Sequence, residues 1–327
     1  MNEIKKDVSE RVLKIKSIIE ENKDLWKLQE IQNFYNNILN NKDIREFKGN
    51  LFYYTFYRII RKFLKGNIKV LICNFFINAS TNKKNMSNGL LNKCYFGDET
   101  VLSVIKTTSD QKKVFLLDCG SNYGFYSFYV ASLSLGNQVL AFEASPETFN
   151  SFKANLELNN FRNIDCRNLA ISEVSGKFIS FYESYNDWES SATHNKFKNN
   201  KIVNIETTTI DQELSKKDLS NFVVIIKLDI EGNEFNAIEG GKVSILKYEP
   251  LITIELSRYN SNNQNYNFNF FRKFLNDSKY KIYDDKLVPL NIETLINRIE
   301  NLDQSHQTIG NYFLIKDFSY VYNKLFN

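Results

Sequence analysis

Two periodicities divide the chain. Over residues 1–91 apolar side chains recur at helical spacing, as in Val8, Val12, Ile15, Ile18 and Ile19, and again in Phe56, Ile59, Ile60 and Phe63. This predicts a helical N-terminal region, closed by the polar run NASTNKKNMSN at 78–88. Within it, residues 68–79 (IKVLICNFFINA) read as a buried strand or helix, too short to cross a bilayer. The basic stretch RIIRKFLK at 58–65 fits a solvated face over an apolar one better than a membrane-surface helix. From residue 92 to 327 the pattern changes to strands alternating with helices. Strands are expected at 114–118, 138–143, 164–168, 222–229 and 251–256, with later ones near 281–283 and 311–316. Helices are expected at 125–133 and 146–159. Such alternation predicts an α/β domain with a mostly parallel sheet covered on both faces. Its ligand should lie beyond the carboxyl ends of the strands.

The stretch VFLLDCGSNYGFYSF at 114–128 locates that ligand. Asp118 ends the first strand, Gly120 and Gly124 allow a tight turn and close approach of the backbone, and the helix from Phe125 presents free N–H groups. The glycines are four apart with Asn122 between them, so the G-x-G-x-x-G pattern of a dinucleotide site is not matched. Glu143, ending the next strand, stands where a carboxylate can accept hydrogen bonds from a ribose diol.

Five ordered blocks carry a more specific signal: DCGSNYGFYS at 118–127, FEASPETF at 142–149, TTTIDQEL at 207–214, IKLDIEGNEFNAIEGG at 226–241 and ITIEL at 252–256. In content, order and spacing they resemble the FkbM family of S-adenosylmethionine-dependent methyltransferases. Cys119, Ser121 and Ala144 depart from the family's usual residues. The resemblance implies a Rossmann-like methyltransferase fold with a seven-stranded sheet, S-adenosyl-L-methionine as cofactor, and a hydroxyl acceptor on a sugar, nucleotide-sugar or glycan precursor. It assigns cofactor binding to Asp118, Gly120, Ser121, Asn122, Gly124, Glu143, Ala144, Asn168 and Ala170.

Strand alternation puts Lys227 and Asp229 on one face, with Asp229 at the carboxyl end, and Glu231, Gly232 and Glu234 follow as a helix opens. Glu255 closes a neighbouring strand. Asp229, Glu231, Glu255 and Lys227 are therefore the candidate catalytic residues, because crowded carboxylates can hold a base poised near neutrality. Oxygen donors of this kind also suit a divalent cation such as Mg²⁺, although no metal ligand is assigned. Glu231 and Glu234 equally suit a helix N-terminus, and Lys227 a buried ion pair. His194 and Trp188 lie in a polar loop where a sugar could stack, and His306 carries no argument.

Composition narrows the partners. With 42 basic and 38 acidic side chains the net charge of +4 gives no call for nucleic acid. The four cysteines are widely spaced, and the charged first residues do not resemble a secretory leader, so a cytoplasmic protein with reduced thiols is expected. The apolar faces of the N-terminal helices leave room for a lid or a homodimer contact. Two other readings remain at this level: methylation of RNA or protein, and a noncatalytic cofactor-fold module.

Overall fold

The computed structural model describes residues 21, 67–72, 75–80, 99–183, 201–262, 266–300 and 309–326. The chain forms two compact units. The first comprises residues 1–96 with 154–159 and 186–188, and the second comprises 97–153, 160–185 and 189–327.

In the first unit, β1 (Asn67–Ile72) and β2 (Phe75–Ser80) pair antiparallel, from Asn67 opposite Ser80 to Ile72 opposite Phe75. Two asparagine amides hold the second strand: Asn159 both accepts from and donates to the backbone of Phe76, and Asn155 accepts from the N–H of Asn78 at 2.8 Å. A hairpin thus stands inside the stretch expected to be helical, at residues left open between strand and helix. The β-branched and aromatic run IKVLI…FFINA favours the extended form. The remaining N-terminal segments, including residues 58–65, lie outside the described residues apart from the helical Glu21.

The second unit opens with α1 (Glu99–Ser109), β3 (Val114–Cys119), α2 (Phe125–Leu133), β4 (Gln138–Phe142), α3 (Pro146–Asn159, whose residues 154–159 belong to the first unit) and β5 (Ile164–Arg167). Next come β6 (Ala170–Ile171), β7 (Phe178–Glu183), β8 (Lys201–Thr208), α4 (Ile210–Leu214), β9 (Val223–Leu228), α5 (Glu234–Glu239) and α6 (Lys242–Tyr248). It closes with β10 (Leu251–Ser257), α7 (Arg258–Asn262), α8 (Phe268–Ser278), β11 (Tyr280–Tyr283), β12 (Pro289–Leu290), α9 (Ile292–Glu300), β13 (Ile309–Lys316) and α10 (Tyr320–Phe326). Both VFLLDC in β3 and VVIIKL in β9 are buried at every position, as central strands covered on both faces must be.

The main sheet has the order β12-β11-β13-β10-β9-β3-β4-β5. β5, β4, β3, β9 and β10 run parallel, while β13 pairs antiparallel with both β10 and β11. The expected seven strands become eight, because the two-residue β12 adds an edge against β11. Chain order moves outward from β3 through β4 to β5, then returns to β9 and β10 on the other side. The reversal between β3 and β9 is the topological switch point, where the carboxyl ends of diverging strands open a crevice. A second sheet, β6-β8-β7, holds a small core of Ala170, Phe181 and Ile205. No helix among the described residues is long and apolar enough to cross a membrane.

Candidate active site at the switch point

The adjacent register of β3 and β9 sets Asp118 opposite Lys227. Both are buried. Asp118 Oδ2 accepts from Ser127 Oγ at 2.6 Å, and Lys227 Nζ lies 3.9 Å from the other carboxylate oxygen, Oδ1. The ammonium donates to Asp229 Oδ2 at 2.9 Å and sits 5.0 Å from the centre of the Tyr126 ring. Burial disfavours its charge, but Asp229 and Asp118 outweigh this and hold the Lys227 pKa above that of a free lysine. Burial in turn raises Asp118, with Lys227 opposing.

The glycine loop folds against protein rather than open space. Gly120, at φ +77°, donates to the carbonyl of Phe142, and a Cβ there would lie 1.8 Å from the carbonyl oxygen of Asp229. At Gly124, φ +91°, a Cβ would lie 2.4 Å from the Phe152 ring and 2.8 Å from Phe128. Gly124 thus has a packing role beside the tight turn expected of it. Its missing side chain makes room for the aromatic core under α2.

Glu143 links the loop to β4. One carboxylate oxygen accepts from Asn122 N–H at 2.8 Å and the other from Ser145 N–H at 2.9 Å. Burial pushes its pKa up to about 7 against these bonds. A carboxylate has about four acceptor positions, so two remain for hydroxyls of a ribose, and the residues present fit that part of S-adenosylmethionine. The acidic crevice also suits a cationic sulfonium and ammonium. Asn168 donates to the carbonyls of Glu143 and Ala144 at 2.7 and 2.9 Å, which fixes the chain beyond β4. Ala170 is buried in β6, Ala144 packs on the same small core, and Ser121 donates to Phe142 O at 3.2 Å.

On the other side of the crevice the chain after β9 makes a strained turn. Asp229 N–H reaches Cys119 O at 3.1 Å, Glu231 adopts φ +54° and Gly232 φ +106°. A left-handed glutamate costs about 1–2 kcal/mol. Glu255 lies in β10, within electrostatic reach of Asp229 and Glu231. Burial first, then the charges of Asp229 and Glu231, raise its pKa well above a free carboxylate. The structure thus brings Asp229, Glu231, Glu255 and Lys227 into one electrostatic cluster. Ser127, in the first sequence block, is a part of the site's framework that motif reading passed over, and Glu234, read as a helix N-terminal acid, joins it.

Among the described residues no group of three or more His, Cys, Asp or Glu is arranged to hold a metal ion. Beside Asp229 the position a cation would take belongs to Lys227 Nζ. The site does not fit Mg²⁺, and no chemistry is routed through one. Trp188, His194 and His306 lie outside the described residues.

Comparison with known proteins decides the family. Residues 118–282, just over half of the chain, match the methyltransferase FkbM domain. The chain belongs to the FkbM methyltransferase domain family. A similar protein is Methyltransferase 1 of Beauveria bassiana, 25% identical over 143 residues; the match spans 38% of this chain and 57% of that protein, so the FkbM-domain chain covers little more than half of this relative. Among solved structures, methyltransferase FkbM from Methylobacillus flagellatus shares 15% identity over 64% of this chain and 47% of its own, with a TM-score of 0.38. TYW2 of M. jannaschii, in complex with AdoMet, shares 9% identity over 77% and 85% of the two chains, with a TM-score of 0.37.

Proposed function

We propose that this FkbM-family chain is an S-adenosylmethionine-dependent O-methyltransferase acting on a hydroxyl of a sugar, nucleotide-sugar or glycan precursor. The observation that carries the reading is the Asp229–Glu255 carboxyl pair beside Lys227 at the switch point, next to the Asp118–Gly124 loop. When bound, the cofactor supplies an electrophilic methyl group on a sulfonium sulfur. Glu143 holds the ribose hydroxyls, and the acidic crevice complements the cofactor's positive charge. Lys227 keeps Asp229 in position and balances the crowded carboxylates. Asp229, with Glu255 beside it, takes the proton of the acceptor hydroxyl, while Glu231 orients that hydroxyl. The bound cofactor would give up its methyl group to the acceptor oxygen and keep the carbon–sulfur electron pair.

General-base catalysis typically contributes about 10²–10⁴-fold. Asp229→Asn and Glu231→Gln should each lower single-turnover methyl transfer from labelled S-adenosylmethionine to a panel of sugars and nucleotide-sugars, Asp229→Asn within that range. Cofactor affinity should change far less. Transfer to RNA or protein alone, or near-normal turnover in both variants, would refute the assignment.

A further inference from the structure

Glu234 is a buried titratable group that the proposed chemistry does not use. It is the first residue of α5, and its side chain turns back over the chain that precedes it. Oε1 accepts from Ile230 N–H at 3.0 Å and from Gly232 N–H at 3.2 Å, and Oε2 accepts from Gly232 N–H at 3.0 Å. The residue is 1% exposed. Those two N–H groups flank Glu231, whose left-handed backbone must be held by its surroundings. A second fastening holds the far end: Asn233 donates to Ile171 O at 2.6 Å, and Asn236 donates to Asn233 Oδ1 at 2.7 Å. At the near end Asp229 N–H is tied to β3. Between these anchors only Glu234 grips the turn's own amides among the bonds described.

We infer that Glu234 is a positioning residue whose carboxyl group clamps the Asp229–Gly232 turn, so that Asp229 and Glu231 stay beside Glu255. This deepens the proposed function and rests on it for its catalytic meaning. A side chain that merely filled space would be replaceable by leucine. A clamp would not, since leucine leaves the buried Gly232 N–H and the part-buried Ile230 N–H without this acceptor. Glutamine keeps one acceptor oxygen but turns an NH₂ group toward Gly232, so it should restore part of the effect.

The test uses Glu234→Leu and Glu234→Gln in the full chain, with three readouts. Amide hydrogen exchange at Ile230 and Gly232 should accelerate strongly in the leucine variant and less in the glutamine variant. Carbon-13 titration of the Glu255 carboxyl should move to lower pH in the leucine variant as Asp229 withdraws, with Glu231 and Lys227 its other charged neighbours. Affinity for S-adenosylhomocysteine should stay within about threefold, while turnover on any acceptor the wild type uses falls roughly 10–100-fold, the scale of a 1 Å misplacement. Unchanged exchange and an unchanged Glu255 titration in a folded leucine variant would overturn the clamp. If the wild type methylates no acceptor, the functional proposal fails, and the first two readouts still decide the clamp.

Discussion

A Cβ at Gly120 has nowhere to go, because the obstructing atom is the backbone carbonyl of Asp229, the residue that follows β9. Gly120→Ala should therefore destabilise the fold by about 3 kcal/mol, combining overpacking with an unfavourable φ. Gly124→Val should lower stability in the same way through Phe152 and Phe128, and lose cofactor only as a consequence; urea midpoints and cofactor titrations at equal folded fraction separate the two. Unchanged midpoints would contradict the packing. The buried acids set a pH dependence. Glu143 rises from 4.5 to about 7 and Glu234 from 4.5 to about 8, chiefly through burial. In that window the folded chain binds more protons than the unfolded one, so these groups stabilise most below about pH 4.5 and the contribution is lost as pH rises to about 8. Denaturation from pH 5 to 8.5 should show a falling midpoint, partly flattened by Glu143→Gln. A rising midpoint would reverse the sign. The carboxylates of the site were legible as residues; their protons were not, since that depends on which oxygens meet across strands.

The element scale explains a block that motif reading left without a physical role. In TTTIDQEL, Thr207 and Thr208 end β8, Thr209 caps α4 by accepting from Gln212 N–H, and Asp211 accepts from the first N–H groups of α6 at Val243 and Ser244, 3.1 and 2.7 Å away. Glu213 accepts from Thr208 Oγ1 at 2.7 Å and pairs with Arg167 of β5. The block is a staple between elements. Asp211→Ala should cost about 1–3 kcal/mol, roughly 2–10 °C in a thermal melt, whereas Thr209→Ala should cost about 1 kcal/mol or less. Equal effects would contradict the double cap at α6. β8 itself was readable from Val203, Ile205 and Thr207 alternating with exposed Ile202, Asn204 and Glu206, but its partner β7 lies across residues 184–200, outside the described set. Helices α2 and α3 match the expected bounds, because the apolar runs and Pro146 mark them locally.

At the scale of the whole second unit, the alternation of strands and helices was enough to predict a parallel sheet, and the blocks to predict its family. Strand order was not readable. That β13, last in the chain, inserts between β10 and β11 is fixed by pairings such as Glu255 with Asn311 and Tyr283 with Phe313, contacts that local periodicity does not encode. That same order brings Asp118, Glu143, Asp229 and Glu255 to the junction of β3 and β9. Isothermal titration of S-adenosylmethionine into the wild type and Glu143→Gln tests this assembly most directly. The wild type should bind one equivalent, and the variant about tenfold more weakly, the effect of losing a charged hydrogen-bond acceptor. No binding to the folded wild type, or equal affinity in the variant, would contradict a cofactor held at this switch point.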